Sequence, residues 1–157
     1  MVIEIWTLGK NNDPFIEEGV QIYLQKLKPW CTVTMHILSL PKKLSTDKPE
    51  QLMAAEEALV LKRLNPTDCL ILLDEHGKML NSEAWSSQFQ NLMNRSVKKV
   101  VLLIGGAYGV SDRIKELAHE KWSLSRLVFP HQLVRLIVAE QVYRSFSILN
   151  HTPYHHS

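Results

Sequence analysis

The chain has 157 residues, 45% hydrophobic and 22% charged, with 18 basic against 16 acidic side chains and a formal net charge of +2. A chain this long buries a core without disulfides or metals, and one domain spanning residues 1–157 is expected. So balanced a charge excludes a protein that coats nucleic acid non-specifically, but leaves room for an RNA recognised by a local basic patch.

Val2 to Leu8 alternates apolar and polar residues and reads as a strand. Asp13-Pro14 is a helix start, with Asp13 able to cap and Pro14 at the first helical position. Phe15, Gly19, Ile22, Tyr23 and Leu27 follow at helical spacing, and Lys28-Pro29 ends the helix. Cys31 to Leu40 is β-branched and apolar, hence a second strand, and the lysine-containing stretch Pro41 to Lys48 is a loop. Pro49 opens a helix to Leu64 with Leu52, Met53, Ala55, Leu59, Val60 and Leu64 as its apolar stripe. Asp68 to Asp74 is a third strand, Glu75 to Lys78 a turn, and Ser82 the cap of a helix reaching about Met93. Val97 to Ile104 is a fourth strand, Ser111-Asp112 the cap of a short helix to His119, Trp122 to Ser125 a brief fifth strand, and His131 to Leu149 the last helix. Strands alternating with helices predict an α/β fold, a mostly parallel sheet covered on both faces.

The last helix is apolar around most of its girth, with a narrow polar strip at Glu140, Gln141 and Arg144. Such a helix must bury two sides, and in so small a chain the second is most simply buried against another copy, so a homodimer is expected. Cys31 and Cys69 match no metal or redox spacing and read as reduced thiols. The start, MVIEIWTLGK, lacks the basic stretch and cleavage site of a signal peptide, and no run approaches the ~20 apolar residues of a membrane helix, so a cytoplasmic protein is expected.

Val100 to Ile104 runs straight into Gly105-Gly106-Ala107-Tyr108-Gly109. A buried parallel strand ending in a glycine turn lets backbone approach a ligand, and open α/β sheets bind ligands at that edge. No Gly-Lys-Ser/Thr is present for a phosphate-binding loop. The pattern is G-G-x-x-G, with no acid near Ser125-Arg126 to hold a ribose, which argues against a nicotinamide cofactor. A plain turn without a ligand stays open on these residues alone. The ends of the third, fourth and fifth strands can all line one pocket.

LLIGGAYGV, WSLSRLVFPHQLVR and AEQVYR with the PYH ending, together with Leu8-Gly9-Lys10 near the start, carry a resemblance over essentially the whole chain. It resembles the ribosomal RNA large-subunit methyltransferase H family, the pseudouridine N3-methyltransferase branch of the SPOUT superfamily. The resemblance implies a SPOUT-type α/β knot, with a C-terminal trefoil knot, in a homodimer. It implies S-adenosylmethionine (SAM) as methyl donor, held by Leu73, Gly105, Leu124, Ser125, Arg126, Leu127, Val128 and Phe129. The implied substrate is a pseudouridine of 23S rRNA, methylated at N3 within the assembled ribosome. Neither a membrane nor DNA is an expected partner.

Four residues are candidates for the chemistry. His131, at the start of the last helix, reads equally as substrate contact or base and as a helix-start residue bonded to backbone. Arg135 lies among apolar neighbours and needs a partner, either a carboxylate or RNA. Tyr154 can stack on a base and His155 can take or guide a proton, where the resemblance implies a tail reaching the partner's site; otherwise the tail is a frayed end. His156 stands where the family usually has arginine or lysine, which removes a permanent positive charge. Arg144 and Glu140 are read as a helix ion pair. Lys42, Lys43 and Lys48 read equally as rRNA phosphate contacts and as a solvated loop. No metal is expected, because the tail histidines have neither rigid spacing nor an accompanying acid. The rival readings are a non-catalytic ribosome-associated module and a tRNA methyltransferase of the same superfamily.

Overall fold

The computed structural model describes residues 1–44 and 47–156. Five strands, β1 (Val2–Leu8), β2 (Thr32–Leu38), β3 (Cys69–Met79), β4 (Lys99–Ile104) and β5 (Glu120–Ser123), form one parallel sheet in the order β2-β1-β4-β3-β5. The helices are α1 (Pro14–Leu27), α2 (Pro49–Arg63), α3 (Ser82–Asn94), α4 (Asp112–Leu117) and α5 (His131–Leu149). A 3-10 turn at Lys42–Leu44 occupies part of the expected loop. Residues 45 and 46 of that loop, and Ser157 of the tail, lie outside the described residues.

The strands at the centre of the sheet are apolar on both sides because both faces are covered. One face carries α1, α5 and α3: Ile3, Ile5, Ile71 and Leu102 pack beneath Val20, Leu24, Phe89, Val138 and Val142. The other carries α2 and α4, where Trp6, Leu72, Val101 and Leu103 meet Val60 and Ile114. Trp85, Phe89, Trp122 and Phe146 form an aromatic cluster with centroids 5.0–6.2 Å apart. Burying such a side chain contributes about 1.5–3 kcal/mol. The cluster fixes α3 and α5 over β5, and thus where the chain leaves the sheet.

Local differences from the sequence reading have physical causes. Asn81, rather than Ser82, caps α3, accepting from the Ala84 N–H at 2.8 Å, while the Ser82 hydroxyl donates to Gln141 Oε1 at 2.9 Å. Asp13 makes no side-chain cap; its backbone carbonyl accepts from the Glu17 N–H at 2.9 Å. The expected turn after the third strand is a bulge inside a longer one. Leu73 and Lys78 both stand opposite Trp122, so residues 74–77 loop out, with His76 N–H donating to Asp74 Oδ1 at 2.8 Å. The apolar stripe of α2 is only half covered; the buried residues of that helix are Glu56 and Val60.

α5 corrects an argument made from pattern. It is the middle helix of the three-helix layer, packed against α1 on one side, α3 on the other and the sheet below. Its apolar girth is therefore largely explained within the chain, and does not by itself require a second copy. The exposed apolar side chains near its start are Leu127, Val128 and Leu133.

Candidate active site at the carboxyl edge of the sheet

The carboxyl ends of β3, β4 and β5 open on a cleft of about 480 Å³. One wall is Leu73 with the bulge residues Asp74, Glu75 and His76; the floor is Ile104 and the glycine loop; the far wall is the segment between β5 and α5. The glycine loop is a tight hairpin in which Gly106 and Gly109 exchange both backbone hydrogen bonds, at 3.2 and 3.1 Å. Gly109 has φ +80°, a conformation side chains resist. Gly106 is constrained for another reason: a Cβ there would sit 2.5 Å from Glu56 Oε2 and 2.7 Å from Oε1, so the carboxylate would have to move aside. In the far wall the Leu127 N–H donates to Ser125 Oγ at 2.9 Å, which tightens the turn and leaves Val128 87% exposed at its tip.

Of the expected donor contacts, Leu73, Gly105, Leu124, Ser125, Leu127, Val128 and Phe129 line this cleft. Arg126 is exposed and does not line it. His131, the first residue of α5, lines it too. Sequence reasoning named Tyr108, Val110 and Val134 only as members of the glycine turn and the motifs, and missed Lys115 as a lining residue and Glu56 behind the loop. Only the tertiary fold brings α2 and α4 to this edge.

Arg135 stands elsewhere. It is 2% exposed, and Nη1 donates to the Lys10 carbonyl and to Asn12 Oδ1, both at 2.8 Å. Its hydrogen-bond acceptors are backbone and amide oxygens rather than a carboxylate or RNA, though the Asp13 carboxylate favours its charged form, and it ties α5 to the β1–α1 loop. Burial lowers its pKa, and its Nε has no hydrogen-bond partner among the described residues.

The tail is pinned rather than frayed. The Tyr154 ring packs edge-on against Tyr143 at 4.6 Å, beneath the Arg144 guanidinium at 4.8 Å, and its hydroxyl donates to Glu140 Oε1 at 3.0 Å. Burial, then its hydrogen bonds to Tyr23 and Glu140, pushes the phenol well above its ordinary pKa, so Tyr154 is a donor and not a base. The expected Glu140–Arg144 ion pair is present. His155 lies between Arg144 Nη1 at 3.3 Å and Glu83 Oε1 at 2.9 Å. Arginine only donates, so Nδ1 accepts and Nε2–H points to Glu83. Both ring nitrogens are thus engaged within the chain, and neither Tyr154 nor His155 lines the cleft. Burial pushes the Cys31 thiol up to about 12 and raises Cys69, so neither is an activated nucleophile.

A family model described as "Predicted SPOUT methyltransferase" matches residues 1–155. The chain is a SPOUT methyltransferase. It is 38% identical to the ribosomal RNA large subunit methyltransferase H of Flavobacterium psychrophilum, over 99% of both chains. The protein of that name from Cytophaga hutchinsonii is 39% identical over 99% of this chain and all of its own, and that from Bacteroides thetaiotaomicron 36% over 99% of both. At that identity and coverage the chain belongs to the methyltransferase H family as well.

As a SPOUT methyltransferase it takes its methyl group from SAM. The cleft fits that donor: its volume lies in the usual small-molecule range, and Leu73, Ile104, Val110 and Leu124 offer an apolar slot between loops whose backbone comes close. Among the described residues no group of three or more His, Cys, Asp or Glu side chains can hold a metal ion, and no helix is long and apolar enough to cross a membrane.

Proposed function

We propose that this SPOUT methyltransferase transfers a methyl group to N3 of a pseudouridine in 23S rRNA, acting as a homodimer on the assembled ribosome in the cytoplasm. The observation that carries the reading is one cleft collecting three strand ends in a chain kin over its whole length to proteins named for large-subunit rRNA methylation. In this reading residues 1–157 act as one domain whose C-terminal part is the family's trefoil knot.

The bound donor supplies a methyl already activated by its positive sulfur, so the chain's task is placement and proton removal. Leu73, Gly105 and the run Leu124 to Phe129 hold the donor, with Arg126 acting through its backbone. In-line placement of a methyl against N3 supplies several kcal/mol. N3–H must lose its proton as the N–C bond forms, and a positioned base adds about 10²–10⁴-fold. His131 at the rim meets the substrate. His155 and Tyr154 lie outside their own chain's cleft, so a partner's tail completes each site, exchanging its contacts with Glu83 and Arg144 for the substrate, with His155 guiding the proton and Tyr154 stacking on the base. Arg135 contributes by fixing the start of α5 beside His131.

The test is methyl transfer to ribosomes lacking the modification, using isotopically labelled SAM, followed by nuclease digestion and mass spectrometry of the nucleosides. N3-methylpseudouridine formed on whole ribosomes, and not on free rRNA, is expected. Label in another nucleoside, or none in rRNA, overturns the reading.

A further inference from the structure

We propose that Glu56, buried behind the glycine loop, is a specificity-determining residue that makes the cleft prefer the cationic methyl donor to the product left after transfer. The proposal rests on the donor occupying this cleft.

Glu56 is 5% exposed, on a helix whose other buried residue, Val60, lies one turn on along the same face and packs in the apolar core. A carboxylate is a costly filler at such a position, where an apolar side chain of similar size would pack without desolvating a charge. It lies against Gly106, so close that even a methyl group there would collide with both its oxygens. Gly106 also lines the cleft. Glu56 itself does not line it, so the carboxylate stands behind a residue that has no side chain to screen it. Two other acids line the cleft, but Glu75 is exposed and Asp74 is half-exposed, so water screens both more strongly. Lys115, also in the lining, is the opposing charge.

The chemistry gives this placement a consequence. During transfer the bond from sulfur to the methyl carbon breaks and its electron pair stays on sulfur. The methyl carbon bonds to N3, whose proton leaves. Sulfur enters the reaction as a cation and leaves it neutral. A fixed negative charge behind the loop attracts the donor and loses that attraction once the methyl has gone, favouring exchange of spent product for fresh donor. An apolar or neutral polar residue at position 56 could fill the space but could not discriminate in this way.

The experiment is calorimetric titration of the full chain at pH 8.5 with SAM and, separately, with S-adenosylhomocysteine. Glu56→Gln keeps shape and removes charge, and is expected to weaken SAM binding about five- to tenfold while changing S-adenosylhomocysteine binding less than about twofold. Glu56→Asp, which keeps the charge, is expected to retain part of the preference, and serves as the reporter if the glutamine variant does not fold. Equal loss for both ligands, or loss for neither, or an aspartate variant with no more preference than glutamine, would overturn the proposal. Failure of the unaltered chain to bind either ligand would instead overturn the donor reading beneath it.

Discussion

The cleft and the tail are built in opposite ways. The cleft is framed by backbone, with three strand ends, a glycine hairpin and a tight turn after β5 setting its walls, and side chains such as Leu73, Ile104, Lys115 and His131 lining them. The tail is a side-chain structure, in which Tyr154 and His155 are gripped by Tyr23, Glu83, Glu140 and Arg144 on three helices. A site made of backbone is complete as soon as one chain has folded. A tail whose Tyr154 and His155 stand outside their own chain's cleft serves a site only where another molecule meets it. Donor binding should therefore be a property of the chain, and methyl transfer a property of the assembly.

Removing the tail separates the two most sharply. Truncation after Asn150 is expected to lower the transfer rate about 10²–10⁴-fold while leaving SAM affinity within about twofold. Single-turnover methylation of ribosomes and calorimetric titration measure the two halves. Parallel loss of binding would show that the tail supports the cleft and erase the contrast. The converse variant is Gly106→Val, which drives a branched side chain into the Glu56 carboxylate. Overpacking of this kind costs the fold about 1–3 kcal/mol, so the melting temperature should fall by several degrees, and the displaced glycine loop should weaken SAM binding with the tail contacts intact.

Much of the cleft was readable from the sequence because its parts are local. A strand running into glycines and a turn rich in serine before a proline announce themselves in a few consecutive residues, and α1 and α5 have the limits their patterns predict. What was not readable depended on distant elements meeting. The girth of α5 looks like an intermolecular surface until α1 and α3 are seen on either side of it. Arg135 looks in need of a carboxylate or an RNA until the β1–α1 loop closes over it, and the buried carboxylate of Glu56 leaves no mark among the other charged residues of its helix.

Arg135 offers the next test, since it belongs to neither region. Arg135→Met leaves the Lys10 carbonyl and the Asn12 amide oxygen without their donor. Losing two hydrogen bonds made by a buried guanidinium costs about 1–3 kcal/mol, so thermal unfolding should move down by several degrees. The transfer rate of the folded fraction should change far less than on tail truncation. A collapse of the rate at unchanged stability would return Arg135 to the chemistry.

The smallest effect concerns the charge behind the glycine loop. Burial raises the pKa of Glu56 above its ordinary 4.5. The folded state then holds its proton more tightly than the unfolded chain, so this group's contribution to stability falls as pH rises from the unfolded value through the folded one. Glu56→Gln removes that penalty. The variant should melt slightly higher than the parent above the folded pKa, by a few degrees at most, and the gap should close below the unfolded pKa. Melting curves across that range check it. A variant more stable than its parent yet poorer at holding SAM would mean that the carboxylate is kept at the expense of the fold, as expected of a residue that serves the ligand. A variant less stable at every pH would mean that Glu56 only holds the loop in place.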